Sequence, residues 1–151
     1  MSDPVKVIAK NRKARHEYEL LERFEAGLEL LGTEVKSLRN GKAQIAEAYV
    51  RLQGDEAYLV DAHIQPYTHA GQENHEPTRP RRLLLHRREL TRLRRATQEK
   101  GLTIVPVTLY FKGPWAKLEI AVARGKKLHD KRQDIRKRED DRDAQRAMRR
   151  Y

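Results

Sequence analysis

The sequence contains no cysteine, so neither a disulfide framework nor a thiolate metal site is open to it. Long apolar runs are missing as well. No window approaches the ~20 residues needed to cross a bilayer, and the opening MSDPVKVIAKNRKARHEYE lacks the apolar stretch of a signal peptide. Both absences lead us to expect a cytoplasmic chain that does not engage membranes. Aromatic residues make up only 6% of the chain, with a single tryptophan, Trp115. Catalytic signatures are lacking too: there is no HExxH, GxSxG or CxxC. The nearest approach to a phosphate-binding loop, GTEVKSLRNGKA, spaces its glycines too widely and has Ala43 where a magnesium-binding hydroxyl would stand. The acids are scattered among bases rather than paired in an apolar setting, so no catalytic residue, cofactor or metal is expected. His69 and His75, with Glu73 and Glu76, are the best metal candidates. A solvated polar loop accounts for them better, because nothing nearby supplies the supporting partners a metal site needs.

What is present is positive charge. The chain has 33 Lys and Arg against 22 Asp and Glu, a net charge of +11, which points to a polyanionic partner. At 151 residues and 38% hydrophobic content, one modest core is expected. The prominence of arginine and the scarcity of recognition-helix features favour RNA. The charge is also unevenly placed. From Arg124 to Tyr151, twelve Lys or Arg face six Asp or Glu, a net of +6. Leu128, Ile135 and Met148 are the only large aliphatic or thioether residues there, too sparse for an apolar stripe. We therefore divide the chain into a folded domain, 1–123, with a basic N-terminal arm, and a basic tail, 124–151.

Periodicity outlines the domain. Residues 1–15 read as the arm, with one small apolar patch from Val5 to Ala9. YELLERFEAGLEL fits either of two patterns: Leu20, Leu21, Phe24, Leu28 and Leu31 share a helical face, while Tyr18, Leu20, Phe24, Ala26, Leu28 and Leu30 alternate with only Glu22 out of step. GTEVKSLRNGK reads as a short helix closed by Asn40-Gly41. AYVRLQGDEAYLVDAHI reads as a hairpin turning at Gly54-Asp55. Gln65 to Arg82 has no periodicity and is expected to be an extended surface loop. HRRELTRLRRATQEKG is a helix with Leu90, Leu93 and Ala96 inward and Arg87, Arg88, Arg92, Arg94 and Arg95 outward, those arginines having few acidic partners along the helix. TIVPVTLYF and WAKLEIAVA form a second hairpin, in which Pro106 marks an edge or a bulge. Short antiparallel strands with few helices indicate a mainly β chain, a small barrel or sandwich with helices at its ends. Trp115 is expected to pack at the barrel rim, a base-stacking face being the alternative.

Three segments, NRKARHEYELLERFEAGLELLGTEVKSLRNGKA, EPTRPRRLLLHRREL and GKKLHDKR, resemble in order and spacing the small protein B family of SsrA-binding proteins, from Asn11 to Arg132. The resemblance implies an oligonucleotide-binding-type antiparallel β-barrel with embedded short helices, and makes YELLERFEAGLEL largely strand. It further implies a non-enzymatic adaptor, expected to be a monomer, that binds transfer-messenger RNA and delivers it to stalled ribosomes for trans-translation. The family's RNA determinants fall on Asn11, whose amide offers donors and an acceptor, on Glu25, and on Leu84. Arg12, Arg15, His16, Lys36, Arg39 and Lys42 are bases near those motifs, expected to neutralise phosphate. By the same resemblance the tail is disordered alone and helical in the ribosome, where it occupies the decoding region and the empty message channel. The tail residues implied are Gly125, Lys126, Lys127, His129, Asp130, Lys131 and Arg132, with Met148 packing at the far end. The alternative is a general structured-RNA or ribosome-binding protein acting by charge without preference for that RNA.

Overall fold

The computed structural model describes residues 4–126. The alternating patterns become strands β1 (Val5–Lys10), β2 (Tyr18–Leu28), β3 (Ala43–Gln44), β4 (Tyr49–Gln53), β5 (Glu56–Val60), β6 (His63–Ile64), β7 (Arg81–Leu84), β8 (Thr103–Lys112) and β9 (Trp115–Gly125). Three helices interrupt them: α1 (Arg12–Glu17), α2 (Gly32–Arg39) and α3 (Arg87–Gln98). Seven strands form one antiparallel sheet in the order β1-β8-β9-β2-β7-β5-β4, and β3 pairs with β6 separately. The large sheet curls so that its edge strand β4 lies against β8, making a barrel that is not fully hydrogen-bonded shut. Inside it pack Phe24, Leu59, Leu83, Leu109, Leu118 and Ile120, joined by Leu38 of α2 and Leu93 of α3.

The sheet also has a second, smaller apolar face. Ala14 of α1 sits outside the barrel on Val105, Val107, Ala121 and Ala123, with Tyr18 and Leu20 alongside. Two bulges let the same strands serve both faces. In β2 the pairing slips between Leu20, opposite Ala123, and Glu22, opposite Val122, leaving Leu21 as the extra residue. Leu20 therefore faces α1 while Phe24 and Ala26, of the same parity, face the main core. This explains why Glu22 broke the alternation. In β8 the slip falls between Pro106 and Thr108, so Val105 and Val107 face outward and Leu109 and Phe111 inward. Pro106 thus marks a bulge, in an interior strand rather than at an edge.

Several expectations need correction. The N-terminal arm is strand β1 and helix α1 from Val5 onward. Its strand is held by backbone pairing to β8 while Val5 and Val7 stay exposed, so no burial pattern announced it. The expected surface loop ends in β7, between β2 and β5, with Arg81 fully buried. A buried arginine disguised that strand. β9 runs to Gly125, where it pairs with Tyr18, so Arg124 and Gly125 belong to the sheet. The tail residues Lys127, His129, Asp130, Lys131, Arg132 and Met148, and with them the expected disorder and helix, lie outside the described residues. α2 and α3 form as expected, ended by Gly41 and Gly101, whose φ values of 70° and 62° suit glycine.

Candidate nucleic-acid interface

The pleat of the outer sheet face sets one row of side chains across five strands. Val7 of β1 pairs with Tyr110 of β8, Tyr110 with Lys117 of β9, Lys117 with Gly27 of β2, and Gly27 with Leu84 of β7. Glu25 stands two residues before Gly27 on the same face. Glu25, Leu84, Arg87, Arg94 and Lys117 line an open groove of about 930 Å³ between this face and the start of α3. Because Gly27 has no side chain, Leu84 lies down over it: a Cβ built at Gly27 would meet Leu84 Cβ at 3.2 Å. Leu84 is left 44% exposed, a half-open apolar ledge beside a carboxylate.

That carboxylate is held by donors. The Tyr110 hydroxyl donates to Glu25 Oε2, and Lys112 Nζ stands 3.6 Å from Oε1. The Tyr110 hydrogen bond, against the opposing effect of burial and with help from Lys112 and Lys117, keeps the Glu25 carboxyl below its ordinary pKa. Burial and the adjoining carboxylate push Tyr110 upward, so its hydroxyl stays a donor at neutral pH. Glu25 is consequently an ionised, acceptor-only group.

Asn11 is placed differently from the expectation. It is 4% exposed, and both ends of its amide are used within the chain. Oδ1 accepts from the Ala14 N–H at 3.1 Å, capping α1, and Nδ2 donates to the Pro106 carbonyl at 2.9 Å. Its own N–H donates to the Val107 carbonyl at 2.8 Å. The β8 bulge and Asn11 therefore fix where α1 starts. Arg12 and Arg15 point from α1 into solvent, and His16 is half-buried.

The remaining predicted bases sit apart from the groove. Lys36 and Arg39 are exposed on α2 and Lys42 just after it, Lys36 lying 5.4 Å from the Tyr67 ring centre. α2 is tied down from beneath. Glu34, fully buried, accepts from Arg81 Nε at 2.5 Å, from Arg79 Nη2 at 2.6 Å and from the Leu31 N–H at 2.7 Å. His75 is buried beside it, with Nδ1 on Thr33 Oγ1 and Nε2 on the Ile64 carbonyl, both at 2.9 Å. The histidine loop is thus structural here rather than solvated at His75.

On α3, Arg92 pairs with Glu22 at 3.0 Å and Arg94 with Asp55 at 3.3 Å, through tertiary contacts that spacing along the helix could not show. Arg87, Arg88 and Arg95 make no ion pair among the described residues. Trp115 is 66% exposed, so the expected rim packing gives way to an open ring. Sequence reasoning missed Tyr110, Lys112, Lys117 and Gly27. The alternation of β8 and β9 held a signal, since residues between the buried Leu109, Phe111, Leu118 and Ile120 must face the other side. Among the described residues no group of His, Cys, Asp and Glu could hold a metal ion, and no helix is long and apolar enough to cross a membrane.

The comparisons with known proteins agree with one another. A family model described as SmpB protein matches residues 8–150. An SsrA-binding protein of Oleidesulfovibrio alaskensis is 57% identical over 145 residues, covering 96% of this chain and 94% of the relative. One of Microcystis aeruginosa is 52% identical over 149 residues, covering 98% and 97%. A solved structure described as "tmRNA-SmpB: a journey to the center of the bacterial ribosome" superposes with a TM-score of 0.67 at 47% identity, covering 83% of this chain and 86% of that one.

Proposed function

The chain belongs to the SmpB family, and from that premise we propose that it is a non-enzymatic, cytoplasmic adaptor that binds SsrA transfer-messenger RNA and carries it to stalled ribosomes for trans-translation. The observation that carries this reading is the outer sheet face: an ionised acceptor, Glu25, beside an exposed apolar ledge, Leu84, in a groove edged by Arg87 and Lys117. Acceptor and ledge suit an unstacked base, and the cations suit the backbone that presents it. Arg12, Arg15 and His16 on α1, and Lys36, Arg39 and Lys42 around α2, extend the positive surface for phosphate contact. Asn11 acts by holding α1 in place. Gly125, Lys126, Lys127, His129, Asp130, Lys131, Arg132 and Met148 engage the decoding region and message channel, a reading supported by the +6 of residues 124–151.

A chain cut after Lys126 tests the division of labour. It retains every described element, including the Lys126 N–H bond to the Glu17 carbonyl. We expect wild-type affinity for SsrA RNA and loss of nascent-chain tagging in a reconstituted translation system; normal tagging would refute the role given to the tail. Bulk tRNA at moderate salt separates this adaptor from a binder acting by charge alone, since only the latter is stripped of its RNA.

Gly27→Ala probes the ledge. The added methyl at 3.2 Å forces Leu84 to move by a few tenths of an ångström. Melting should shift by no more than ~1 kcal/mol equivalent, since β propensity spans about that range. Affinity for SsrA RNA, read by titration, should fall roughly three- to tenfold.

A further inference from the structure

Glu25 has a side chain 40% exposed; the Tyr110 hydroxyl donates to it, and Lys112 Nζ stands within ion-pair range at 3.6 Å. An ionised carboxylate carries about four lone-pair positions. Tyr110 takes one on Oε2 and Lys112 approaches one on Oε1, which leaves one position on each oxygen free for a ligand. Such a carboxylate suits two parallel N–H donors side by side. Leu84 is the diagonal cross-strand neighbour of Glu25, because it pairs with Gly27. Diagonal neighbours stand about 7–8 Å apart, room for a base with its face on the leucine and its edge on the carboxylate.

We infer that Glu25 and Leu84 form a seat for one unstacked guanine of the bound RNA, with Glu25 accepting from N1–H and the N2 amino group and Leu84 packing on the ring. The assignment rests on the RNA-binding reading above and goes beyond it by naming the base. Guanine alone presents two adjacent donors on its Watson–Crick edge. Adenine and cytosine set one amino donor beside an acceptor ring nitrogen, which would face the carboxylate. Uracil has a single N–H between two carbonyls. Tyr110 is a positioning residue: 9% exposed, it pins Oε2 and so fixes the plane of the carboxylate. Gly27 keeps the ledge low enough for the ring to reach it.

Interference mapping tests the seat with the full chain and SsrA RNA in which guanosine is randomly replaced by inosine, which lacks the N2 amino group. A hydrogen bond to a charged acceptor predicts depletion of inosine among bound molecules by about tenfold at one position. Glu25→Gln, offering one donor and one acceptor, should abolish that depletion. Tyr110→Phe, its fold checked by melting, should reduce it to about threefold. A depletion that persists unchanged in Glu25→Gln puts the guanine elsewhere and overturns the seat, as does the absence of any depleted position. Should Glu25→Gln bind too weakly to select RNA, an undiminished depletion in Tyr110→Phe has the same force. A wild-type chain that binds SsrA RNA no better than bulk tRNA would instead defeat the RNA-binding reading itself.

Discussion

Glu34→Ala is expected to lower the free energy of unfolding by about 3–5 kcal/mol, measured by urea denaturation of the full chain. The carboxylate is fully buried, and its removal strands the equally buried Arg81 guanidinium, whose Nε loses its partner at 2.5 Å. Arg79 and the Leu31 N–H lose theirs too. A domain of this size has about 5–15 kcal/mol in total, so the variant should melt near physiological temperature. Replacing both partners, as Glu34→Leu with Arg81→Met, should recover part of the loss. Recovery stays incomplete because Arg81 also donates to the Ala62 and Pro77 carbonyls, at 2.8 and 3.0 Å. A loss below ~1 kcal/mol would show that the pair is solvated in practice.

The same network sets an acid limit. Burial alone would raise the Glu34 carboxyl, but Arg79, the Leu31 N–H and Arg81 together bring it below the ordinary value of 4.5. Burial also lowers Arg81 despite Glu34, yet an arginine remains charged at neutral pH, so the carboxylate governs the titration. A carboxyl lowered on folding stabilises fully above 4.5 and loses that contribution as pH falls through its folded value. Melting temperature should therefore drop below pH 4.5, and drop less in the double replacement, which has no carboxylate there.

Asn11→Ala should cost about 2–3 kcal/mol: ~1 for the lost cap of α1 and 1–2 for a buried Pro106 carbonyl left without its donor. Affinity for SsrA RNA should fall as well, by tenfold or more, because Arg12, Arg15 and His16 lose the frame that aims them. The two effects should travel together. Asn11→Asp separates the contributions, keeping the cap acceptor while setting a carboxylate against the Pro106 carbonyl, and should be no better than alanine in melting. A variant that melts like wild type but fails to bind RNA would mean that Asn11 touches the RNA itself.

Asn11 also shows how far the sequence could be read. Its importance was visible in the NRKARHEY motif, but its partners lie at Pro106 and Val107, and a bond across 95 residues leaves no local trace. The hairpin of β8 and β9, α2 and α3 were legible because each buries one face at a regular period. β1 was hidden because Val5 and Val7 are exposed, and Ile8, which packs half-buried against the core, is the extra residue of a slip against β8, so its burial follows no regular period. β7 was hidden because Arg81 occupies a core position on the strength of Glu34, far away in sequence. At the interface, Glu25 and Leu84 could be named from their motifs, while Tyr110 and Gly27 could not, since their roles arise from register: which residue stands opposite which.

The two bulges carry a consequence for how this chain can vary in length. β9 runs without a slip between two strands that each gain one residue against it, at Leu21 and at Val107. Deleting either residue would do more than shorten a strand, because it would turn one half over, exchanging the residues that face α1 with those that face the main core. Insertions and deletions should thus be lethal to folding in β2 and β8 and tolerated between Thr68 and Glu73, short of His75 and of the Pro77 carbonyl that Arg81 holds. A library of single-residue deletions scored for soluble expression should trace the two bulges as its deepest minima.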